Sequence, residues 1–293
     1  MQVFDWDFKA KLNINEPLTI CLGSFETLHL GHNELFKIAK DLKQSYPDQK
    51  LAIMMFKNPV KNSQVLTKKA MQPKTRLYTL AMLGFDYVFL VDVNQTILNC
   101  SYSDFIQGLK INNVKNVVCG QDFRFGFNRE GNIDKLKKYF NVYVANELKV
   151  NKQKISSTII NEFIEEGNIN GLNKLLIDKY SIIVNSQKFN FKYPEHLNQL
   201  KAGIYIANVV WNNIEYHGLI FINKNQFDSN NNLQENNIIY LFDIDYFISK
   251  YQELYIEFLQ CIRHINNNSE NQISTNDIEI GKKYFISKEK MNS

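Results

Sequence analysis

Leu18-Thr19-Ile20-Cys21-Leu22 runs directly into Gly23-Ser24-Phe25-Glu26-Thr27-Leu28-His29-Leu30-Gly31-His32, and this stretch decides the fold. A short apolar run ending at a glycine has the pattern of a buried parallel strand. From about Gly31 onward, Leu35, Ile38, Ala39 and Leu42 share one face of a helix. Strand, glycine turn and helix in that order predict an α/β unit whose ligands bind beyond the carboxyl end of the strand.

Working outward, the alternation repeats. Residues 51–56 form the next apolar run, closed by Lys57-Asn58-Pro59. Pro73 suits the first turn of a helix carrying Leu77, Leu80, Ala81 and Leu83, with Gly84 as its stop. Residues 87–91 read as a third strand, and Ser103 as the cap of a helix holding Phe105, Ile106 and Leu109. Strands over 117–119 and 142–144 flank a helix over 132–139. Parallel neighbours need crossover helices, so residues 1–176 are expected to form a doubly wound parallel sheet. After Leu176 the pattern changes. Residues 180–184, 203–211, 215–222, 238–242 and 255–260 are strand-like with short connections, which predicts an antiparallel β-barrel-like domain over 177–293. Residues 223–237 read as an Asn-rich loop, and Ser274-Thr275-Asn276-Asp277 as the cap of a short final helix.

Composition narrows the function classes. The 293 residues hold 34 Lys+Arg against 30 Asp+Glu, and +4 is too mild a balance to suggest a nucleic-acid partner. Lys135-Leu136-Lys137-Lys138 is expected to be a solvated helix face. No apolar run approaches the ~20 residues of a membrane helix, so no membrane partner is expected. The acidic start Met1-Gln2-Val3-Phe4-Asp5-Trp6-Asp7 is unlike a signal peptide, and the expected location is cytoplasmic. Cys21, Cys100, Cys119 and Cys261 lack zinc or disulfide spacing, and no metal-ligand set is expected. His196, His217 and His264 read as ordinary polar positions, and Tyr205, Trp211 and Tyr240 as barrel core. Oligomeric state leaves no trace in the sequence.

Three segments carry chemistry. His29 and His32, spaced across a helix start, suit a phosphate chain, because a helix N-terminus offers unpaired N–H groups and partial positive charge. Gly31 would allow close backbone approach. The alternatives are ordinary surface histidines or a metal pair. Lys154-Ile155-Ser156-Ser157-Thr158-Ile159-Ile160-Asn161 places three hydroxyls at another helix start, either to bond a terminal phosphate or as a plain cap. Gly120-Gln121-Asp122-Phe123-Arg124-Phe125-Gly126 follows a strand and suits a flat heteroaromatic ligand, although Phe123 and Phe125 also read as core.

Together these segments resemble the bacterial FAD synthetase family, usually bifunctional riboflavin kinase/FMN adenylyltransferases, whose patterns G-x-F-D-G-x-H-x-G-H, G-x-D-F-x-F-G and I-S-S-T-x-I-R occur here in that order over about residues 15–175. The resemblance implies a nucleotidylyltransferase domain that transfers AMP from Mg-ATP to FMN, with Mg2+ accompanying ATP and FAD as product. It implies small-molecule substrates throughout. His29 and His32 would be catalytic. Gly23, Ser24, Phe25, Glu26, Gly31, Ser156, Ser157 and Thr158 would bind ATP phosphates. Asn58, Gly120, Asp122, Phe123, Arg124, Phe125 and Gly126 would bind flavin.

Departures from the patterns are specific. Glu26 and Thr27 replace Asp and Gly, and Asn161 replaces the Arg of the third pattern. The resemblance then implies weakened ATP handling, partly compensated by Lys152, Lys154 or Arg129. Over 177–293 the family's kinase barrel is echoed by Gly203-Ile204-Tyr205-Ile206, by Leu241-Phe242-Asp243 and by 254–258. Its glycine-rich P-T-A-N segment is absent, and Ile238 stands where its catalytic Glu would fall, which predicts a barrel without kinase activity. Two alternatives stay open: a nucleotidylyltransferase for another phosphorylated substrate, and an impaired flavin- or nucleotide-binding homologue.

Overall fold

The computed structural model describes all residues except 59, 62–63, 66–67, 148, 151–152, 224–236, 243, 245–251, 267–271 and 293. The expectations on Pro59, Lys152, Asp243 and nearly all of the 223–237 loop therefore lie outside the described residues, as does the Lys154 side chain. By its contacts the chain divides into two compact units, Met1–Lys69 with Arg76–Ser157, and Ala70–Thr75 with Thr158–Ser293.

Up to Lys154 the chain runs through β1 (Gln2–Asp5), β2 (Leu18–Leu22), α1 (Asn33–Ser45), β3 (Lys50–Phe56), the hairpin β4 (Val60–Lys61) and β5 (Gln64–Val65), α2 (Pro73–Met82) and β6 (Tyr87–Val91). There follow α3 (Gln95–Leu98), α4 (Tyr102–Ile111), β7 (Val114–Gly120), α5 (Ile133–Lys137), β8 (Asn141–Ala145) and a second hairpin, β9 (Lys149–Val150) and β10 (Gln153–Lys154). Six strands form one sheet in the order β1-β6-β3-β2-β7-β8, with every neighbouring pair parallel. The sheet grows from β2 through β3 to β6, and the chain then returns to lay β7 against the other side of β2. The strand order therefore reverses between β2 and β7, where a crevice opens beyond the strands' carboxyl ends. Every residue of β2 is buried, as a central strand covered on both faces requires.

Several local expectations are corrected. β1 was not anticipated, because it is an edge strand with mostly exposed side chains and no apolar run. The helix expected from Gly31 starts as a 3-10 turn, Leu30–His32, and only Asn33 opens α1. Ser101, not Ser103, caps α4: its hydroxyl accepts from the Asp104 N–H at 3.0 Å, while Ser103 is already helical. The 132–139 helix is shorter, α5, capped by the Asn132 side chain.

The second part of the chain holds α6 (Ser157–Glu166), α7 (Ile169–Leu175), β11 (Ser181–Gln187), β12 (Asn190–Phe191), β13 (Gly203–Trp211), β14 (Ile214–Ile222), β15 (Asn237–Leu241), β16 (Gln252–His264) and α8 (Thr275–Asn292). Its strands close an antiparallel barrel in the order β11-β12-β15-β14-β13-β16. Tyr205, Val209, Ile220, Ile256 and Phe258 belong to its apolar core. Tyr240 does not: it is 37% exposed, because alternate residues of β15 face outward. The final helix is long, 18 residues rather than one short turn. Ser274 and Asp277 cap it reciprocally, the Asp277 N–H donating to the Ser274 hydroxyl and the Ser274 N–H to the Asp277 carboxylate. Arg263 of β16 grips the same carboxylate through Nε at 3.0 Å and Nη2 at 2.9 Å.

Candidate active site

The turn after β2 is organised around one aromatic ring. Phe25 is buried with φ +44°, and its ring folds back over Gly23, where a Cβ would stand 2.8 Å from the ring edge. The same ring packs against His32 at 4.8 Å between centroids and against Phe36 at 5.7 Å. His29 and His32 stack 3.9 Å apart at 12°. A Cβ on Gly31 would come within 2.9 Å of the His29 ring. The glycines of this motif thus make room for its own side chains, beyond the close phosphate approach that the sequence suggests.

His32 is neutral. Burial first, and then the neighbouring His29, hold its pKa well below the usual imidazole value. Its Nδ1 accepts from the His29 backbone N–H at 3.4 Å, which places the proton on Nε2. The ring is therefore a hydrogen-bond donor rather than a cation.

The turn after β7 supplies the second wall. Phe125 is buried in the sheet's core, and Phe123 stacks on it at 5.7 Å and 23°, half-buried. Asp122 and Arg124, on alternate positions, are exposed. Gly126 has φ +76°, and a Cβ there would stand 2.7 Å from the Tyr102 nitrogen, so this turn admits only glycine.

Both turns open onto a cavity of about 730 Å3 at the carboxyl ends of β2 and β7. From the first turn it is lined by residues 23–26 with His29, Gly31 and His32, and from the second by residues 120–126. Ser156 and Ser157, at the start of α6, also line it. Thr27, fully buried, holds its hydroxyl 3.2 Å from that of Ser157 and so links the first and third motifs. The residue that departs from the Gly of the family pattern thereby gains a partner.

Two expected residues fall elsewhere. Thr158 is exposed and does not line the cavity. Asn58 is not among its lining residues either; its side chain accepts from Lys69 at 2.9 Å and faces Asp92. Asn161, the departure from the Arg of the third pattern, accepts from the Asn198 side chain. Arg129, expected only as partial compensation for the missing Arg, lines the cavity, and so do Asn146 and Glu147, which the motifs did not indicate. Asn146 and Glu147 left no signal in the sequence, since they lie in an irregular segment after β8 with no spacing of its own. Among the described residues no group of three or more His, Cys, Asp or Glu side chains is placed to hold a metal ion, and no helix is long and apolar enough to cross a membrane.

Comparison with known proteins supplies the remaining evidence. The sequence profile of the FAD synthetase family matches residues 11–159. A bifunctional riboflavin kinase/FMN adenylyltransferase from Buchnera aphidicola subsp. Acyrthosiphon pisum (strain APS) is 31% identical, covering 93% of this chain and 95% of its own length. The protein of the same name from Escherichia coli (strain K12) is 28% identical over 57% of this chain and 56% of its own. A crystal structure described as a macrolide-efflux protein from Streptococcus pneumoniae has a TM-score of 0.73 at 21% identity, covering 98% of this chain and 96% of that one, a likeness of fold alone.

Proposed function

The chain belongs to the FAD synthetase family, and from that premise we propose that residues 1–176 catalyse transfer of AMP from Mg-ATP to FMN, giving FAD and pyrophosphate. The observation that carries this reading is the single cavity onto which the two histidines, the Gly120–Gly126 turn and the Ser156-Ser157 helix start all open.

In the proposed reaction an FMN phosphate oxygen attacks the α-phosphorus of ATP. The new O–P bond forms as the bond from that phosphorus to the bridging oxygen breaks, and pyrophosphate leaves with the electron pair. A phosphate monoester has a second pKa near ~6 and is mostly dianionic at pH 7, so the nucleophile needs no general base. What remains is alignment of two anions and stabilisation of charge on the α-phosphate and the leaving group. His32 offers its Nε2–H to those oxygens without needing to be protonated first, and His29 stacks beside it. Ser156 and Ser157 add hydroxyls for the pyrophosphate end. Asp122, Phe123 and Arg124 offer a carboxylate, a ring face and a cation to the heteroaromatic substrate. Mg2+ arrives as the counter-ion of ATP, held by its phosphates.

The barrel is read as lacking riboflavin kinase activity, although the relatives carry that activity in their names. Ile238, 37% exposed on β15, is aliphatic and cannot take a proton from the ribityl hydroxyl. FMN must then be supplied by a separate phosphorylation of riboflavin.

One experiment tests both halves. Purified protein is incubated with Mg-ATP and either FMN or riboflavin, and FMN, FAD and pyrophosphate are quantified. FAD and pyrophosphate in equal amounts from FMN, and no product from riboflavin, are expected. Saturable flavin binding without product would select the binding-protein alternative, and FMN formed from riboflavin would overturn the account of the barrel.

A further inference from the structure

Arg76, on α2, has no part in the chemistry above, yet it is one of the most buried side chains of the molecule, 1% exposed. Burial lowers its pKa to about 10, against the pull of the Glu26 carboxylate, so it remains a cation at neutral pH. Its two terminal nitrogens are spent on backbone, while Nε is buried with no hydrogen-bond partner among the described residues. Nη1 donates to the Phe25 carbonyl at 2.6 Å and to the Phe56 carbonyl at 2.9 Å, and Nη2 donates to the Lys57 carbonyl at 3.1 Å. These carbonyls lie at or just beyond the ends of β2 and β3, so one planar fork ties together two neighbouring strand ends at the site. Lysine, a point charge on a flexible stem, cannot reproduce that geometry.

The bond to Phe25 has a further consequence. A bulky residue at φ +44° occupies a left-handed conformation that persists only where surroundings enforce it. The Arg76 bond falls on that residue's own carbonyl, and its ring lies against His32. Taking a guanidinium out of water is costly, whereas an aliphatic side chain would fill the same interior without a charge. The cation is therefore explained by the carbonyls that it orients.

We propose that Arg76 is a positioning residue, which acts through Phe25 to set the place of the His32 imidazole and hence the rate of adenylyl transfer. The kinetic part of this proposal rests on the FMN adenylyltransferase reading; the geometric part does not. The test is Arg76→Lys, which keeps the charge and loses the fork. With the variant folded by circular dichroism, kcat is expected to fall on the order of 10²-fold, as for a small misplacement of a reacting group, while KM for ATP and FMN changes little. The 15N resonances of the His32 ring are expected to shift away from those of the Nε2–H tautomer. An unchanged kcat, or an unchanged His32 spectrum, in folded Arg76→Lys overturns the proposal. Should that variant not fold, Phe25→Leu, which keeps the guanidinium and its carbonyl bonds, must shift the same resonances, and an unchanged spectrum there overturns it. If the wild-type protein makes no FAD, the adenylyltransferase reading fails, and the imidazole spectra still decide the placement of His32 by Arg76.

Discussion

After β2, Phe25 folds back over a glycine and leaves Ser24, His29 and His32 lining an open cavity. Tyr205 and Phe258, on neighbouring barrel strands, instead meet edge to face at 5.6 Å within a closed apolar core. Both regions bury aromatic rings, and they differ in what closure does with the positions around them. A parallel sheet ends in loops that must turn into helices, so polar groups and helix N-termini gather at one edge. A closed barrel has no such edge, and its inward positions become packing. The same kind of ring therefore supports an imidazole pair in one place and fills a lumen in the other.

Substitutions at four positions probe that contrast. The largest effect is expected at the cavity: His32→Ala should lower kcat for FAD formation by roughly 10²–10³, the scale of one lost transition-state donor. His32→Gln, whose amide reaches toward the Nε2 position, should retain more; equal activity in His32→Ala and wild type would remove the imidazole from the chemistry.

At the start of α8, held to barrel strand β16 by Arg263, the corresponding test is of stability, not rate. Asp277 is 1% exposed and bidentate with a partly exposed Arg263, so Asp277→Asn should cost about 1.5–3 kcal/mol in chemical unfolding, the scale of hydrogen bonds to a charged group, with FAD formation retained by the folded protein. Burial raises the Asp277 pKa, but the bonds from Arg263 and Ser274 outweigh it and hold the value below 3.8. A depressed folded-state pKa gives stability that is complete above the unfolded value, about 4, and lost as pH falls through the folded one. Asp277→Asn should therefore flatten the acid limb below about pH 4 in unfolding measured against pH.

Gly23→Ala sets the glycine account against a purely phosphate-contact role. A Cβ 2.8 Å from the Phe25 ring must displace it, and overpacking of this kind costs about 1–3 kcal/mol. Thermal unfolding should show that loss without ligand; a loss seen only in KM for ATP would contradict the ring-packing explanation. The smallest effect belongs to Thr27→Val, which removes a hydroxyl of near-equal shape from beside Ser157. A single neutral bond is worth about 0.5–1.5 kcal/mol, so KM for ATP should rise a few-fold, with Thr27→Ser restoring it.

Much of the sheet was legible because its central strands are continuous apolar runs closed by a glycine, proline or turn, as at Leu18–Leu22 and Tyr87–Val91. β1 was not, since its exposed side chains show no pattern and only pairing with β6 makes it a strand. At the site, the spacing of His29 and His32 and the Gly120–Gly126 segment were visible as chemistry-bearing patterns. The partner of Thr27 was not, for Ser157 lies 130 positions away.

The sequence by itself determined the order of strand, glycine turn and helix, the change to short antiparallel strands, and the three motifs on which the family resemblance rests, because these depend on local residue type and period. Only the tertiary structure decided that His32 is a neutral donor, that Gly23 is a seat for the Phe25 ring, and that Arg76 spends its charge on the carbonyls of two strand ends. Burial and the positions of backbone acceptors are properties of packing, which no local pattern of residues encodes.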